Sequence, residues 1–241
     1  MIKLSFKSIM SDTMIYPSLT DFLNELQQNC LLLARHGETD WNAMGLIQGQ
    51  QDRPLSPKGF QQRKNLFFHL QAVPLVKIYC SSLQRSLQTA KPLSEENEIP
   101  IITVPELDEA KLGVFEGEHK VNFSDDHSRI MYESFLKDEI NIILPGGGEN
   151  LRSVHARIQK PLQEMTHAVA EQGHVLVIAH RNVNKMLVQS LLGLDFEAGY
   201  RVEHRNHWLY IFACQSNEIY LMEIKSLADE VEIISGYREI D

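Results

Sequence analysis

The residues in this chain best suited to chemistry stand where apolar runs end. The run from Leu31 passes through Ala34 straight into Arg35, His36 and Gly37, in the stretch "LLLARHGETDWN". The run "VKIYC" (Val76 to Cys80) is followed by Ser81, Ser82 and, within one helical turn, Arg85. "IITV" (Ile101 to Val104) leads into "PELDEAKLGVFEG", which carries Glu109, and "VLVIA" (Val175 to Ala179) leads into His180. In an open parallel sheet, ligands bind beyond the carboxyl ends of the strands, so residues that follow such runs face one crevice. Two arginines, two histidines and a glutamate would then converge. A cationic cluster of this kind is costly to hold together without an anion, and guanidinium forks match the oxygens of a phosphate. A helix expected just after His180 adds backbone N–H donors and a positive dipole end.

Binding alone would not require a histidine at the centre. An imidazole nitrogen is a neutral nucleophile near pH 7 provided neighbouring cations keep its pKa from rising, and Arg35 and Arg85 would do this while clamping the transferring oxygens. A leaving alkoxide needs a proton. Glu109 is the carboxyl at a strand end that could supply it, if burial and distance from the arginines keep it protonated.

These residues must be positioned by elements that the sequence also signals. Apolar runs without polar alternation suit central strands covered on both faces. Between them lie helix signals: Ser56 as a cap with Pro57 at the first helical position, "LQRSLQTAKPL" after the second run, a long helix from about Asn150 to Glu171 with a kink at Pro161, and another from about Asn182 to Leu192 stopped by Gly193. The alternation predicts an α/β fold, three layers α/β/α around a mostly parallel central sheet. "WLYIFAC" and "EIYLMEI" read as a hairpin at or near the sheet edge. Residues 1–29 read as an N-terminal extension with one helix, "SLTDFLNELQQN", packed on the surface of a catalytic domain spanning 30–241; residues before Ser18 show little helical or strand patterning.

Composition narrows the partners. The chain has 241 residues, 43% of them hydrophobic, and a formal charge of −9, which argues against nucleic acid or an anionic membrane surface. No run is long enough to span a bilayer, and no signal peptide follows Lys3 and Lys7. Cys30, Cys80 and Cys214 are odd in number and lack CxxC spacing, which fits a reducing, cytoplasmic setting. A small phosphorylated metabolite is the expected partner, and a homodimer is the one protein assembly kept open.

Plainer readings compete with each of these. A lone histidine is more often a satisfied core residue than a catalyst, but two at strand ends beside two arginines are not lone. Glu109 competes with a solvated acidic turn that includes Glu106 and Asp108. His204 and His207 have a spacing that could suit a metal, but without a third ligand a surface or strand-edge role is expected. His119, His127, His155, His167 and His174 are read as surface residues. Gly146 to Gly148 lack the spacing of a nucleotide loop and read as a flexible turn before a helix.

"ARHGETDWN", "IQGQQDRPLSPKGFQQ", "CSSLQRSLQTA", "LDEAKLGVFEG" and "VIAHRNV" together resemble, in order and approximate spacing, the histidine phosphatase superfamily, also called the phosphoglycerate mutase-like family, over roughly Leu31 to Leu194. The resemblance implies His36 as the phosphorylated nucleophile, Arg35, Arg85 and His180 around the phosphate, Glu109 as general acid and later base, and Asn42 and Gln48 as amide donors. It implies no metal and no organic cofactor. It also implies a metal-independent phosphatase acting on a small phosphomonoester, with phosphoglycerate mutase-type transfer or a non-catalytic phosphate-binding module as alternatives. Family mutases have an insertion rich in basic residues between the glutamate and the second histidine. Here that segment carries Lys120, Arg129 and Lys137 among many carboxylates, which favours water as acceptor. Arg181 departs from the small residue usual after the second histidine. It is counted with the substrate-binding residues, whether it turns into the pocket or away from it. The stretch from Leu112 to Gly117 keeps an aromatic, Phe115, where the family has tryptophan. "CSSLQR" also has the ends of a tyrosine-phosphatase loop, but with four intervening residues and no glycine it cannot wrap a phosphate.

Overall fold

The structure is a computed structural model that describes residues 13–224, 227 and 230–240. Its frame is one eight-stranded sheet: β1 (Thr13–Tyr16), β2 (Cys30–Arg35), β3 (Leu75–Cys80), β4 (Ile101–Thr103), β5 (His174–Ala179), β6 (Trp208–Ala213), β7 (Glu218–Glu223) and β8 (Val231–Ser235). The spatial order is β1-β8-β7-β6-β2-β5-β3-β4. The strands from β2 to β4 in that order are parallel and β6, β7, β8 and β1 extend the sheet antiparallel. The sheet is therefore mixed and parallel through the part that carries the motifs. The β6–β7 hairpin was expected at or near the edge, but β8 and β1 lie beyond it. β1, four residues of alternating exposure, is too short to leave a pattern in the sequence.

Helices cover both faces for the reason the period of a strand requires: alternate residues of β2 point to opposite layers. Cys30, Leu32 and Ala34 join a core with α1 (Leu19–Leu26), α3 (Pro57–Leu70) and α4 (Gln84–Asn97). Leu31 and Leu33 face α6 (Leu151–Glu171) and α7 (Arg181–Leu192). Serine caps fix the starts of α1 and α3, Ser18 accepting from the Asp21 N–H and Ser56 from Gly59. Gly193, left-handed at φ 63°, closes α7. Pro161 is buried within α6, which continues to Glu171. In α1, Leu19, Phe22 and Leu23 are buried, so this helix closes one face of the sheet.

A third, smaller cluster lies over the strand ends. Ile47, Leu112, Phe115 and Leu144 pack against Tyr132 and Phe135 of α5 (Asp126–Lys137), and Ile47 follows shortly after the short helix α2 (Asp40–Met44). The last helix, α8 (Phe196–Arg201), packs on α7. Among the described residues no helix is long and apolar enough to cross a membrane.

Candidate active site

Strand direction brings the strand-end residues together. β2, β3 and β5 run parallel, and Arg35, Ser81 and His180 lie at or just past their carboxyl ends. The His36 and His180 rings lie 4.9 Å apart, centroid to centroid, tilted 51°. His36 is 3% exposed and His180 wholly buried. The backbone here is tied on both sides: the His36 N–H donates to Ala179 O at 3.1 Å, its carbonyl accepts from Asn206 Nδ2 at 2.6 Å, and Gly37 N–H donates to Thr89 Oγ1 at 3.0 Å. The chain then passes so close to the start of α3 that a Cβ on Gly59 would meet Glu38 O at 2.1 Å.

The two ring nitrogens of His36 differ. Nδ1 lies 2.7 Å from Gly37 O, so it carries the hydrogen and donates, leaving the Nε2 lone pair for the pocket. Burial, then the charges of Arg85 and Arg35, hold its pKa well below the usual histidine value, outweighing the Gly37 bond. His180 is neutral for the same reasons: burial first, then Arg85, His36 and Arg35. Its Nδ1 accepts from Arg85 Nε at 3.2 Å, so Nε2–H donates to Ser81 Oγ at 2.7 Å.

The arginines are held by carbonyls. Arg85, 1% exposed, donates Nη1 to Gln51 O and Nη2 to Gly49 O, both at 2.8 Å. With the bond to His180, three of its five N–H groups are used and two remain. Burial lowers its pKa to about 10, the Glu109 charge acting in the opposite direction, so it stays cationic. The loop it grips needs glycine: Gly49 has φ 51°, and a Cβ there would overlap Glu116. Glu116 in turn accepts from Gln50 N–H and Leu112 N–H. Arg35 donates Nη1 to His204 O at 3.1 Å, and its buried Nε has no partner in the protein.

Asn42 and Gln48 also reach the pocket, with different duties. Gln48 Oε1 accepts from Thr39 Oγ1 at 2.8 Å and Asn42 Nδ2 at 3.2 Å, which turns the Gln48 amide nitrogen away, buried and without a partner. Asn42 closes a capping box with Thr39 at the start of α2 and orients Gln48. The unused donors Arg35 Nε and Gln48 Nε2 both belong to residues lining one cavity of about 200 Å³, below the range typical of drug-sized ligands. Arg85, Glu109 and Arg181 line it too.

Glu109 is half-buried, and its Oε1 accepts from Ala110 N–H at 2.9 Å and Asn182 N–H at 3.3 Å. The expected distance from the arginines is not what the fold provides, since Glu109 is the first opposite charge felt by both Arg35 and Arg85. Arg157, which sequence reasoning missed, fixes this turn. Its guanidinium donates to the carbonyls of Glu106, Asp108 (2.7 Å) and Glu109 (3.2 Å) while Nε pairs with Glu149 at 2.8 Å. One arginine inside a long amphipathic helix gives no local signal of this duty.

Arg181 turns toward the cavity, with Glu139 Oε1 4.0 Å and Glu203 Oε2 3.7 Å away. His204 requires a correction: it is fully buried, not at a surface or strand edge. Asn184 Nδ2 donates to its Nδ1 at 2.9 Å and its Nε2 donates to Trp208 O at 2.9 Å, which fixes the turn whose carbonyl holds Arg35. Burial pushes its pKa down to about 3. His207 pairs with Glu223 at 3.3 Å. His174, expected at the surface, is partly buried and its Nδ1 accepts from Cys30 N–H at 3.0 Å. Among the described residues, no three of His, Cys, Asp and Glu are grouped to hold a metal ion.

Comparison with known proteins follows this geometry. An adenosylcobalamin/alpha-ribazole phosphatase of Escherichia coli (strain K12) is 30% identical over 168 residues, 70% of this chain and 81% of that protein. A protein of Enterobacter sp. (strain 638), "Probable phosphoglycerate mutase GpmB", is 32% identical over 177 residues, 72% of this chain and 80% of its own. The solved structure of Bacillus stearothermophilus YhfR superposes with a TM-score of 0.67 at 28% identity, covering 82% of this chain and 92% of that one. The family profile that matches, over residues 31–226, takes in the four parallel strands and both histidines. With its strand-end histidines in that frame, the chain belongs to the histidine phosphatase superfamily, branch 1.

Proposed function

We propose that the protein hydrolyses a small phosphomonoester through a phosphohistidine on His36, without a metal. The observation that carries this reading is the fixed tautomer of His36: Nδ1 is committed to Gly37 O, and Nε2 is a neutral lone pair on a ring that feels the charges of Arg85 and Arg35. The phosphoryl group takes the unused N–H groups of both arginines and of Gln48. His36 Nε2 attacks phosphorus in line as the P–O bond to the alcohol breaks, and the arginines stabilise the charge on the equatorial oxygens. Glu109 gives its proton to the leaving alkoxide. It then takes a proton from water, which attacks the phosphohistidine and releases inorganic phosphate, freeing His36.

The relatives support both a phosphatase and a mutase reading, by their names. The acceptor separates the two, water or a second hydroxyl. Three free cysteines, Cys30 and Cys80 buried and Cys214 partly so, support a reducing cytoplasmic setting. The test is a quench into alkaline detergent during turnover of a radiolabelled monoester, with acid treatment afterwards to check the lability of any label. Acid-labile, base-stable label on the protein with stoichiometric phosphate release is expected, and turnover without any trapped label would sink the reading.

A further inference from the structure

The pocket has a second end. Beyond Arg35, Arg85 and the histidines, α5 and the turn after it present Tyr132 and Glu139 beside the apolar side chains of Phe135 and Leu136, and the first residue of α7, Arg181, faces them. Glu139 is 4% exposed yet lines the cavity, and its nearest cation, Arg181 Nη1, is 4.0 Å away, beyond hydrogen-bond length. A carboxylate so buried is costly unless it accepts hydrogen bonds. Tyr132 is 5% exposed, and burial followed by the charge of Glu139 pushes its phenol up to about 12, so it keeps its hydrogen. The Arg181 charge is shared with Glu203 at 3.7 Å. Lys185 is buried with Nζ donating to Tyr200 O at 2.7 Å and does not line the cavity.

Charge decides what this end accepts. With Glu109 carrying the proton it donates, the four cations of the lining, Arg35, Arg85, Lys120 and Arg181, face two carboxylates, Glu139 in the lining and Glu203 3.7 Å from Arg181, a surplus of two positive charges. One phosphate monoester, at about −2, uses that surplus completely. A second anionic group on the substrate would lie beside Glu139 with no cation left to match it.

We propose that Glu139, Tyr132 and Arg181 form a subsite for the alcohol portion of the substrate, selecting an uncharged group with hydroxyl or N–H donors and rejecting a second anion. This rests on the phosphohistidine reading of the same pocket. Two donors on the ligand satisfy the Glu139 oxygens, the Tyr132 hydroxyl serves as donor or acceptor, and Phe135 and Leu136 cover the carbon skeleton. No bond is made or broken there. The subsite sets which esters reach His36.

The test uses a matched pair, glycerol 3-phosphate and 3-phosphoglycerate, which differ by a hydroxymethyl against a carboxylate. The wild-type chain should prefer the first in kcat/KM by about tenfold or more, as like charges at close quarters are strongly disfavoured. Glu139→Gln should cut that preference at least about fivefold, and Arg181→Gln should increase it, because the two variants remove opposite charges. The opposite signs keep the proposal falsifiable if one variant does not fold, which a thermal melt would show. A wild-type preference for 3-phosphoglycerate, or a ratio that neither folded variant moves, would overturn the subsite. Both esters labelling the protein with acid-labile phosphate while showing no preference overturns the subsite alone. Turnover of either ester with no label trapped overturns the phosphohistidine reading.

Discussion

The floor and the wall of the pocket are built differently. The floor stands on parallel strand ends, where every reacting group is held by backbone: His36 by Gly37 O, Arg85 by the carbonyls of Gly49 and Gln51, Arg35 by that of His204. The wall comes from α5, the turn after it and the first residue of α7, and its charged groups are matched only loosely, Arg181 to Glu139 at 4.0 Å and to Glu203 at 3.7 Å. Groups that must meet a transition state need fixed geometry before the substrate arrives, whereas groups that select a substrate need unused hydrogen-bonding capacity. Rigid carbonyl clamps belong to the first task and underpartnered charges to the second. Changes to the nucleophile and its clamps should therefore act on kcat for every ester, and changes in the wall on the choice among esters.

The strongest break in this contrast is His36→Ala. Loss of the nucleophile should lower turnover by about 10⁴-fold or more for all esters alike, with no label trapped on the protein. The fold should persist, since His36 lies in the crevice past β2. Substantial turnover by the folded variant would place the nucleophile elsewhere.

Glu109→Gln comes next. Proton donation contributes roughly 10²–10⁴-fold, and only where the leaving group needs it. Alkyl phosphates should lose that much, and para-nitrophenyl phosphate far less. Equal losses on both, measured by steady-state kinetics, would remove Glu109 as the acid and bring Glu106 and Asp108 forward.

Arg157→Met sharpens the comparison from outside the cavity. Without its guanidinium the carbonyls of Glu106, Asp108 and Glu109 lose their common donor, and Glu149 loses its ion-pair partner. A misplaced acid should cost about tenfold in kcat on alkyl phosphates, little on para-nitrophenyl phosphate, and leave KM near wild type. Arg157→Lys should recover part of it. A loss independent of the leaving group would make Arg157 merely structural.

The smallest effect concerns stability against pH. His36, His180 and His204 have folded pKa values below the unfolded value of about 6.5. Below that pH the unfolded chain binds protons that the folded one does not, so stability rises with pH and is lost as pH falls from about 6.5 toward the folded values. Urea midpoints should drop between pH 6.5 and pH 4.5, and His204→Asn should reduce the slope. A flat profile over that interval would mean that the buried histidines carry protons in the fold.

Several features of this protein follow from the chain alone. An apolar run that stops at Arg35 and His36, or at His180, fixes both the strand and the side of the sheet on which its last residues emerge, because backbone direction determines where a strand end points. Ser56-Pro57 and Gly193 mark helix ends through their own backbone preferences. That was enough for the α/β architecture, for the convergence of Arg35, His36, Arg85 and His180, and for placing Glu109 near them. The rest depends on segments far apart in sequence meeting in space. β1 finds β8 more than two hundred residues away; His204 looked like a surface histidine until Asn184 and Trp208 enclosed it; Arg157 clamps a turn about fifty residues back. Glu139 is one acid among many in an acidic stretch. Its burial against the cavity came only from the packing of Tyr132 and Phe135 over the strand ends. A single charge has no periodicity, so what it touches, and hence what it selects, is decided by tertiary contacts.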